Sequence, residues 1–317
     1  MKVTEHLKQA KGTIFSIEIL PPLKGKSIQS IYEGIDPLLE FKPSFIDVTY
    51  HREEYVYKHR ENGLLEKLSI RKRPGTVGIC AALMNKYKVD AVPHIICGGF
   101  TKEETENALI DLNFLGIDNV LAIRGDAIKS EAGFTPEPGG NNYAIDLVNQ
   151  VMHMNRGKFI DEELLNVSPT DFCIGIARYP EKHFESPSMK SDLRHLKEKI
   201  DAGTDYIVTQ MFFDNKKYFE FVRICRENGI TVPIIPGIKV LTGKKQINLL
   251  PKTFHIELPD ELLEAVEKCE TDKDAREVGI EWCINQCREL VKNNAPCLHF
   301  YTMGNSEAVR QVASNVF

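Results

Sequence analysis

The stretch that decides the fold runs Asp90-Ala91-Val92-Pro93-His94-Ile95-Ile96, continues through Thr101-Lys102-Glu103-Glu104, and ends in Asn119-Val120-Leu121-Ala122-Ile123-Arg124. The first and last segments are short, nearly continuous apolar runs, the pattern of parallel strands covered on both faces. Between them, Thr101 and Glu104 form a Thr-x-x-Glu capping box, Ala108, Leu112 and Leu115 follow it, and Gly116 supplies the stop. Strand, capped helix and strand make the repeating unit of an α/β fold.

Outward from this unit the same handover recurs. Strands are predicted at Thr13–Leu20, Phe45–Tyr50, Asp90–Ile96, Asn119–Arg124, Phe172–Tyr179, Tyr206–Met211, Pro233–Ile238 and Cys297–Thr302. Leu193, Leu196 and Ile200 share a helix face before Gly203, and Tyr218, Phe221, Val222 and Cys225 do so before Gly229. Strands alternating with helices in this number predict a single (β/α)8 TIM-type barrel over residues 1–317, with an N-terminal extension over about 1–12. The alternative, an open doubly wound sheet with a second domain, lacks its Gly-x-Gly-x-x-Gly turn, for which Gly98-Gly99 is too little. Residues 127–142 and the stretch from 239 to Pro259 read as long irregular loops, which in compact domains are commonly functional.

Composition narrows the function classes. The 317 residues are 42% hydrophobic and 27% charged, an ordinary globular balance that argues against a disordered or fibrous chain. Forty basic and 45 acidic residues leave a net charge of −5, without the basic footprint of a general nucleic-acid binder. No apolar segment resembles a secretory signal or a membrane span, so a cytoplasmic protein is expected. The eight cysteines form no Cys-x-x-Cys pair and read as small buried hydrophobes. His94 and Cys97 stand alone at metal-ligand spacing, so no metal site is expected.

A barrel builds its site at the C-terminal ends of its strands. Those ends carry Glu18, then Thr49 and Tyr50, His94, Arg124-Gly125-Asp126, Tyr179 with Glu181 and His183, Thr209-Gln210, and His299 with Tyr301. Glu18 sits among Phe15, Ile17, Ile19, Leu20, Pro21 and Pro22; such surroundings raise a carboxyl's pKa and suit it to general-acid work. The competing reading is a glutamate paired with a barrel lysine or arginine. Arg124 can grip phosphate or carboxylate in two-pronged fashion, Gly125 lets the backbone come close, and Asp126 can accept from a ring N–H; alternatively Arg124 and Asp126 pair and close the barrel end.

Taken in order, Phe15-Ser16-Ile17-Glu18-Ile19-Leu20-Pro21-Pro22, Phe45 to Tyr50, Pro93-His94, Leu121 to Asp126, Tyr179-Pro180-Glu181-x-His183, Asp201-Ala202-Gly203-x-Asp205, Thr209 to Asp214, Ile235-Pro236-Gly237-Ile238 and His299-Phe300-Tyr301-Thr302 resemble the methylenetetrahydrofolate reductases, over about residues 13 to 303. The resemblance implies a single barrel carrying FAD without a Rossmann motif, and reduction of 5,10-methylenetetrahydrofolate to 5-methyltetrahydrofolate by NADH or NADPH, which feeds methionine synthesis. It implies Glu18 as general acid and Asp126 as a carboxylate near flavin and folate. Gln210, Gln246 and Tyr301 would contact substrate. Thr49, Tyr50, His94, Arg124, Gly125, Asp126, Tyr143, Ala177, Tyr179, His183, Asp192 and Lys199 would hold the flavin, and a homo-oligomer is expected. The length matches the bacterial catalytic form, with no counterpart of the regulatory region of animal enzymes.

The chain departs from the family in three places. Met303-Gly304-Asn305 stands where Leu-Asn-Arg is usual, Leu250 where phenylalanine is frequent, and Ser16, Ile17 and Ile19 replace aromatic neighbours of the glutamate. Two other functions fit the same strand-end residues: a proline-dehydrogenase-like flavin barrel acting on another imine or amine, and a catalytically silent folate-binding barrel. Turnover with methylenetetrahydrofolate against proline separates them.

Overall fold

Ile14 lies beside Cys297, and this pairing of the first strand with the last closes the sheet into a ring. The computed structural model describes residues 1–317 except 71, 72, 129, 130 and 132. Its strands are β1 (Ile14–Ile19), β2 (Phe45–Val48), β3 (Glu54–His59), β4 (Leu65–Ile70), β5 (Asp90–Ile96), β6 (Asn119–Ile123), β7 (Cys173–Arg178), β8 (Tyr206–Met211), β9 (Ile234–Ile238) and β10 (Cys297–Tyr301). The ring runs β1-β10-β9-β8-β7-β6-β5-β2, every pair parallel, and each of its eight strands falls on a predicted one.

Alternation along each strand divides the core in two. Phe45, Val92, Leu121, Cys173, Tyr206, Val208, Ile235 and Cys297 fill the barrel interior. A larger apolar shell lies between the strands and the helices outside, with Ile17, Ile46, Leu112, Ile174, Phe221 and Leu298 among its fully buried members. Each such side chain withdrawn from water contributes roughly 1.5–3 kcal/mol. Seven of the eight cysteines are buried, Cys269 is intermediate, and all are free thiols.

The predicted N-terminal extension contains a helix, Val3–Gln9, laid across the N-terminal end of the barrel. Buried Val3 donates its N–H to Asn119 Oδ1 (2.8 Å), and His6 Nε2 lies 2.7 Å from Asp90 Oδ2, at the starts of β6 and β5. The anticipated cap on the helix Lys102–Phe114 is present: Glu104 N–H donates to Thr101 Oγ1 (3.2 Å), and Thr101 N–H donates to Glu104 Oε2 (2.8 Å).

Two expectations need correction. The span from 239 to 259 is not wholly irregular, because it contains the helix Gln246–Phe254, whose Leu250 is buried against Met211, Leu241 and Leu262. Strands β3 and β4, unforeseen, form an antiparallel hairpin outside the ring between β2 and the helix Thr76–Tyr87. In the span 127–142, the residues outside 129, 130 and 132 contain neither helix nor strand. Nearly buried Arg52 pins this span by donating to both carboxylate oxygens of Glu131 (3.0 and 3.1 Å).

Candidate active site

The C-terminal ends of β1, β2, β5 and β10 bring one carboxylate to the centre of the barrel mouth. Glu18 on β1 accepts a hydrogen bond from the Thr49 hydroxyl just past β2 (2.7 Å). Its Oε2 lies 3.6 Å from His94 Nε2 on β5 and 3.8 Å from His299 Nε2 on β10. Asp47, wholly buried on β2, faces the same His94 nitrogen at 3.5 Å. The Ser16 hydroxyl steadies the other side of His299, 2.8 Å from Nδ1. Inward-pointing side chains at this level of the barrel are thus polar, whereas the level beneath is apolar.

This arrangement reverses the expected titration of Glu18. Burial does act to raise its pKa, but His94, His299 and the Thr49 hydroxyl outweigh burial and hold the carboxyl below the usual range. Burial opposes a charge on His94 as well, yet Glu18 and Asp47 prevail and hold the imidazole above its ordinary value. The partner of Glu18 is therefore histidine, not the lysine or arginine of the competing sequence reading. Asp47 is an additional site member whose sequence signal was a polar residue inside an otherwise apolar strand, and His299, already noted at its strand end, joins it.

Around the mouth, Tyr301 donates its hydroxyl to the Thr209 carbonyl (2.6 Å), and Thr209 Oγ1 accepts from Gly237 N–H (2.9 Å). A Cβ on Gly237 would stand 2.2 Å from that carbonyl and 2.6 Å from the Tyr301 ring, so only glycine lets β8, β9 and β10 meet here. Gln210 spends its side-chain oxygen on the N–H of Met211 (2.9 Å), which leaves its amide NH2 to donate. Gln246 likewise accepts from Thr242 N–H (2.7 Å) at the start of its helix. Tyr179 has its phenol pushed up to about 12, chiefly by burial and next by Asp126. Asp126 itself is exposed and makes no hydrogen bond or ion pair among the described residues.

On the β6 and β7 side the mouth turns cationic. Arg124 does not pair with Asp126, as one sequence reading had it; its guanidinium donates twice to Glu185 (2.7 and 2.9 Å) and lies 5.2 Å from the Phe134 ring. Gly125, at φ +83, turns the chain where a side chain would crowd Ile96. Asp192, on the helix Met189–Gly203, is buried and committed: it accepts from Arg178 (2.6 Å), the Ser186 hydroxyl (2.8 Å) and His183 N–H (2.8 Å). Lys199 on the same helix makes no hydrogen bond or ion pair among the described residues, and burial, with Arg178 and Arg124 adding, pulls its pKa down to about 8. Ala177 is the one exposed residue of β7 and opens room above the barrel. His183 stacks on Phe184 (4.7 Å), and Phe184 on His255 (4.0 Å), a link that sequence reading missed. Tyr143 stands exposed at the start of the helix Ala144–Asn155.

A cavity of about 870 Å³ opens beside the mouth, with His94, Tyr50, Phe100, Ile28 and Val77 in its wall. Among the described residues no three His, Cys, Asp or Glu side chains gather in a metal-binding group, and no helix is long and apolar enough to cross a membrane.

Comparison with known proteins gives a consistent result. A family model described as methylenetetrahydrofolate reductase matches residues 2–316. A Caenorhabditis elegans protein named probable methylenetetrahydrofolate reductase (NADPH) is 32% identical over 98% of the chain and 43% of its own length. Methylenetetrahydrofolate reductase (NADH) 1 of Arabidopsis thaliana is 30% identical over 100% of the chain and 51% of its own length. The chain thus spans about half the length of these relatives. The Pectobacterium carotovorum 5,10-methylenetetrahydrofolate reductase is 28% identical, with 96% of this chain and 91% of the relative aligned. Among solved structures, a Clostridium thermocellum protein described as binding two copies of 5-methyl-5,6,7,8-tetrahydrofolic acid aligns with a TM-score of 0.61 and 14% identity, over 99% of this chain and 97% of its own, a likeness of fold.

Proposed function

The chain belongs to the methylenetetrahydrofolate reductase family, and from that premise we propose that its barrel mouth reduces 5,10-methylenetetrahydrofolate to 5-methyltetrahydrofolate, with FAD as resident cofactor and NADH or NADPH as donor. The product would feed methionine synthesis. The observation that carries this reading is Glu18 at the centre of the mouth, with the His94 and His299 imidazoles at 3.6 and 3.8 Å.

The residues present fit an anionic, flat cofactor. Lys199 is a half-buried ammonium without a partner among the described residues, next to two arginines. Glu185, a carboxylate, already sits in the Arg124 fork in the way a phosphate would. The exposed backbone and methyl group of Ala177 offer a low floor beside Tyr179. Arg124 and Lys199 would hold the phosphates, Ala177, Tyr179, His183, Thr49, Tyr50 and His94 would frame the ring and ribityl parts, and Tyr143 would contact the exposed end. Asp192 would act through Arg178 and the loop at His183. FAD, when bound, supplies the two-electron carrier between the nicotinamide and the folate.

The chain's own groups supply the proton chemistry and the positioning. Opening the folate's five-membered ring needs a proton at its departing nitrogen, and Glu18 is the group that delivers it. Because the neighbouring imidazoles hold the Glu18 carboxyl below its usual range, that proton is drawn through the Glu18–His94–His299 cluster as a unit and not from an isolated carboxylic acid. Asp126 faces the same space and accepts a ring N–H. Gln210, whose amide also faces the Tyr179 phenol, would bind the folate ring or the nicotinamide, while Gln246 and Tyr301 bound the opposite wall.

The purified protein supplied with FAD provides the test. The expected result is a flavin absorbance that NADH or NADPH bleaches and methylenetetrahydrofolate restores. Failure to retain FAD, or a reduced flavin that methylenetetrahydrofolate leaves bleached, would overturn the proposal.

A further inference from the structure

The cavity of about 870 Å³ beside the mouth has an apolar floor and a cationic rim. A space of that size suits a small organic ligand. Buried Ile31, Ile79 and Ile96 make the floor, and the rings of Phe100 and Tyr50, with centroids 5.1 Å apart, add a flat side wall. Its lining includes neither Arg124 nor Lys199, the two groups given to the flavin phosphates.

One end of the cavity is the start of the helix Thr76–Tyr87. Gly75 at the N-cap has no side chain to offer, and the first turn holds no acidic residue. Among the described residues the N–H groups of Thr76, Val77 and Gly78 have no partner, and they give that end a partial positive charge. Two buried side chains in the same wall are unpaired as well. Thr76 is 2% exposed and its hydroxyl makes no hydrogen bond among the described residues, while His94, 4% exposed, has no partner at Nδ1. Buried polar atoms are ordinarily satisfied, so an unpaired set around one cavity marks where a ligand completes it.

Lys24 and Lys26 stand at the rim on a turn closed by the Lys26 N–H to the Leu23 carbonyl (3.1 Å). Neither ammonium has a hydrogen bond or ion pair among the described residues. Arg73, which donates to the Pro21 carbonyl, adds a third cation, and Glu53, the acidic side chain in the wall, has a partner of its own. A phosphate has oxygens enough to take the helix N–H groups, the Thr76 hydroxyl and a lysine together, whereas a carboxylate has one fewer. The aromatic and aliphatic walls then take a flat ring. We infer that this cavity binds a purine nucleotide, its phosphate at the start of the helix Thr76–Tyr87 and its base against Phe100. That chemistry has two sources, the adenosine end of a nicotinamide donor and a free mononucleotide.

Calorimetric titration of the intact protein with 5′-AMP, 2′,5′-ADP and adenosine tests this, with FAD present to fill its own site. One of the two phosphates should bind once per chain with a Kd below about 100 µM, and adenosine at least about tenfold more weakly. Lys24→Glu combined with Lys26→Glu, on an exposed turn, should weaken the phosphate ligand about tenfold or more. Gly78→Phe should do the same by filling the space, since a Cβ there meets nothing within 4 Å. Thr76→Val, which keeps the shape, should weaken the phosphate ligand and leave adenosine unchanged. Displacement of 2′,5′-ADP by NADPH or NADH identifies the donor as the source, and displacement by neither identifies a mononucleotide. Failure to retain FAD would end the proposed function but not this reading, because the variants still report on the cavity. Absence of phosphate-dependent binding up to about 5 mM, or binding that all these variants leave unchanged, would overturn the inference.

Discussion

Glu18 and His94 face each other at 3.6 Å across the barrel mouth although β2 lies between their strands, so the pair spans a neighbour instead of bonding along it. Replacing Glu18 by Gln keeps the shape and the Thr49 contact but removes the carboxylate through which the cluster passes its proton. Reduction of the flavin by NADH or NADPH should proceed nearly as before, while reoxidation by methylenetetrahydrofolate should slow by about 10²–10⁴-fold. Stopped-flow spectra of the two half-reactions measure both; equal losses in each would remove Glu18 from the acid role.

The same pair gives stability a pH signature. His94 has its pKa raised above 6.5, so its contribution is complete below that pH and drains away as pH climbs through the raised value. Glu18 has its pKa lowered from 4.5, so its contribution is complete above that pH and is lost as pH falls through the lowered value. His94→Asn should therefore lower the unfolding midpoint most between those two ordinary values, by roughly 5 °C or more, with the gap closing as pH climbs through the raised His94 value. Thermal melts of both proteins across pH decide it, and a gap independent of pH would contradict the assigned charges.

Arg178 and Asp192 form a pair with side chains only 5% and 3% exposed. Removing one partner strands a buried charge, so Arg178→Met should cost about 3–5 kcal/mol in denaturant unfolding. Arg178→Met together with Asp192→Leu should recover most of that loss. A double variant as unstable as the single one would mean that the hydrogen bonds from Ser186 and His183, and not the charge pair, hold this loop.

Lys199 should govern cofactor retention. Its ammonium is charged below about 8 and loses its proton above that pH. Lys199→Met should weaken FAD binding about tenfold or more at neutral pH, a charge-assisted contact being worth about 1.5–3 kcal/mol. Quenching of flavin fluorescence should show wild-type affinity declining above pH 8 and a flatter profile for the variant. Unchanged affinity in the variant would place the phosphates elsewhere.

The ring was legible because each of its strands is a short apolar run between helix signals, and parallel strands buried on both faces leave that mark. The β3–β4 hairpin was missed for the opposite reason: it is half exposed, with Tyr55, Val56 and Tyr57 outside any core, and only Asn62-Gly63 announced the turn. Glu18, Thr49, His94 and Tyr301 could be gathered from strand ends alone. The direction of the Glu18 shift could not, because it depends on His299, whose codon lies far downstream and whose ring meets Glu18 only on closure. Met303-Gly304-Asn305, a departure in sequence, has a local structural use, since Asn305 Oδ1 accepts from Ala308 N–H (3.3 Å) and caps the helix Ser306–Ala313.

Pairing of Ile14 with Cys297 also sets a timetable for synthesis. At about 5–20 residues per second, β1 waits roughly a quarter of a minute to a minute for β10 to be made. Throughout that interval the nascent sheet is an open fan with two raw margins, and Glu18 sits on one of them, still lacking His299 and Tyr301. The proton cluster therefore assembles last, which makes it a report on whether the final strand has docked.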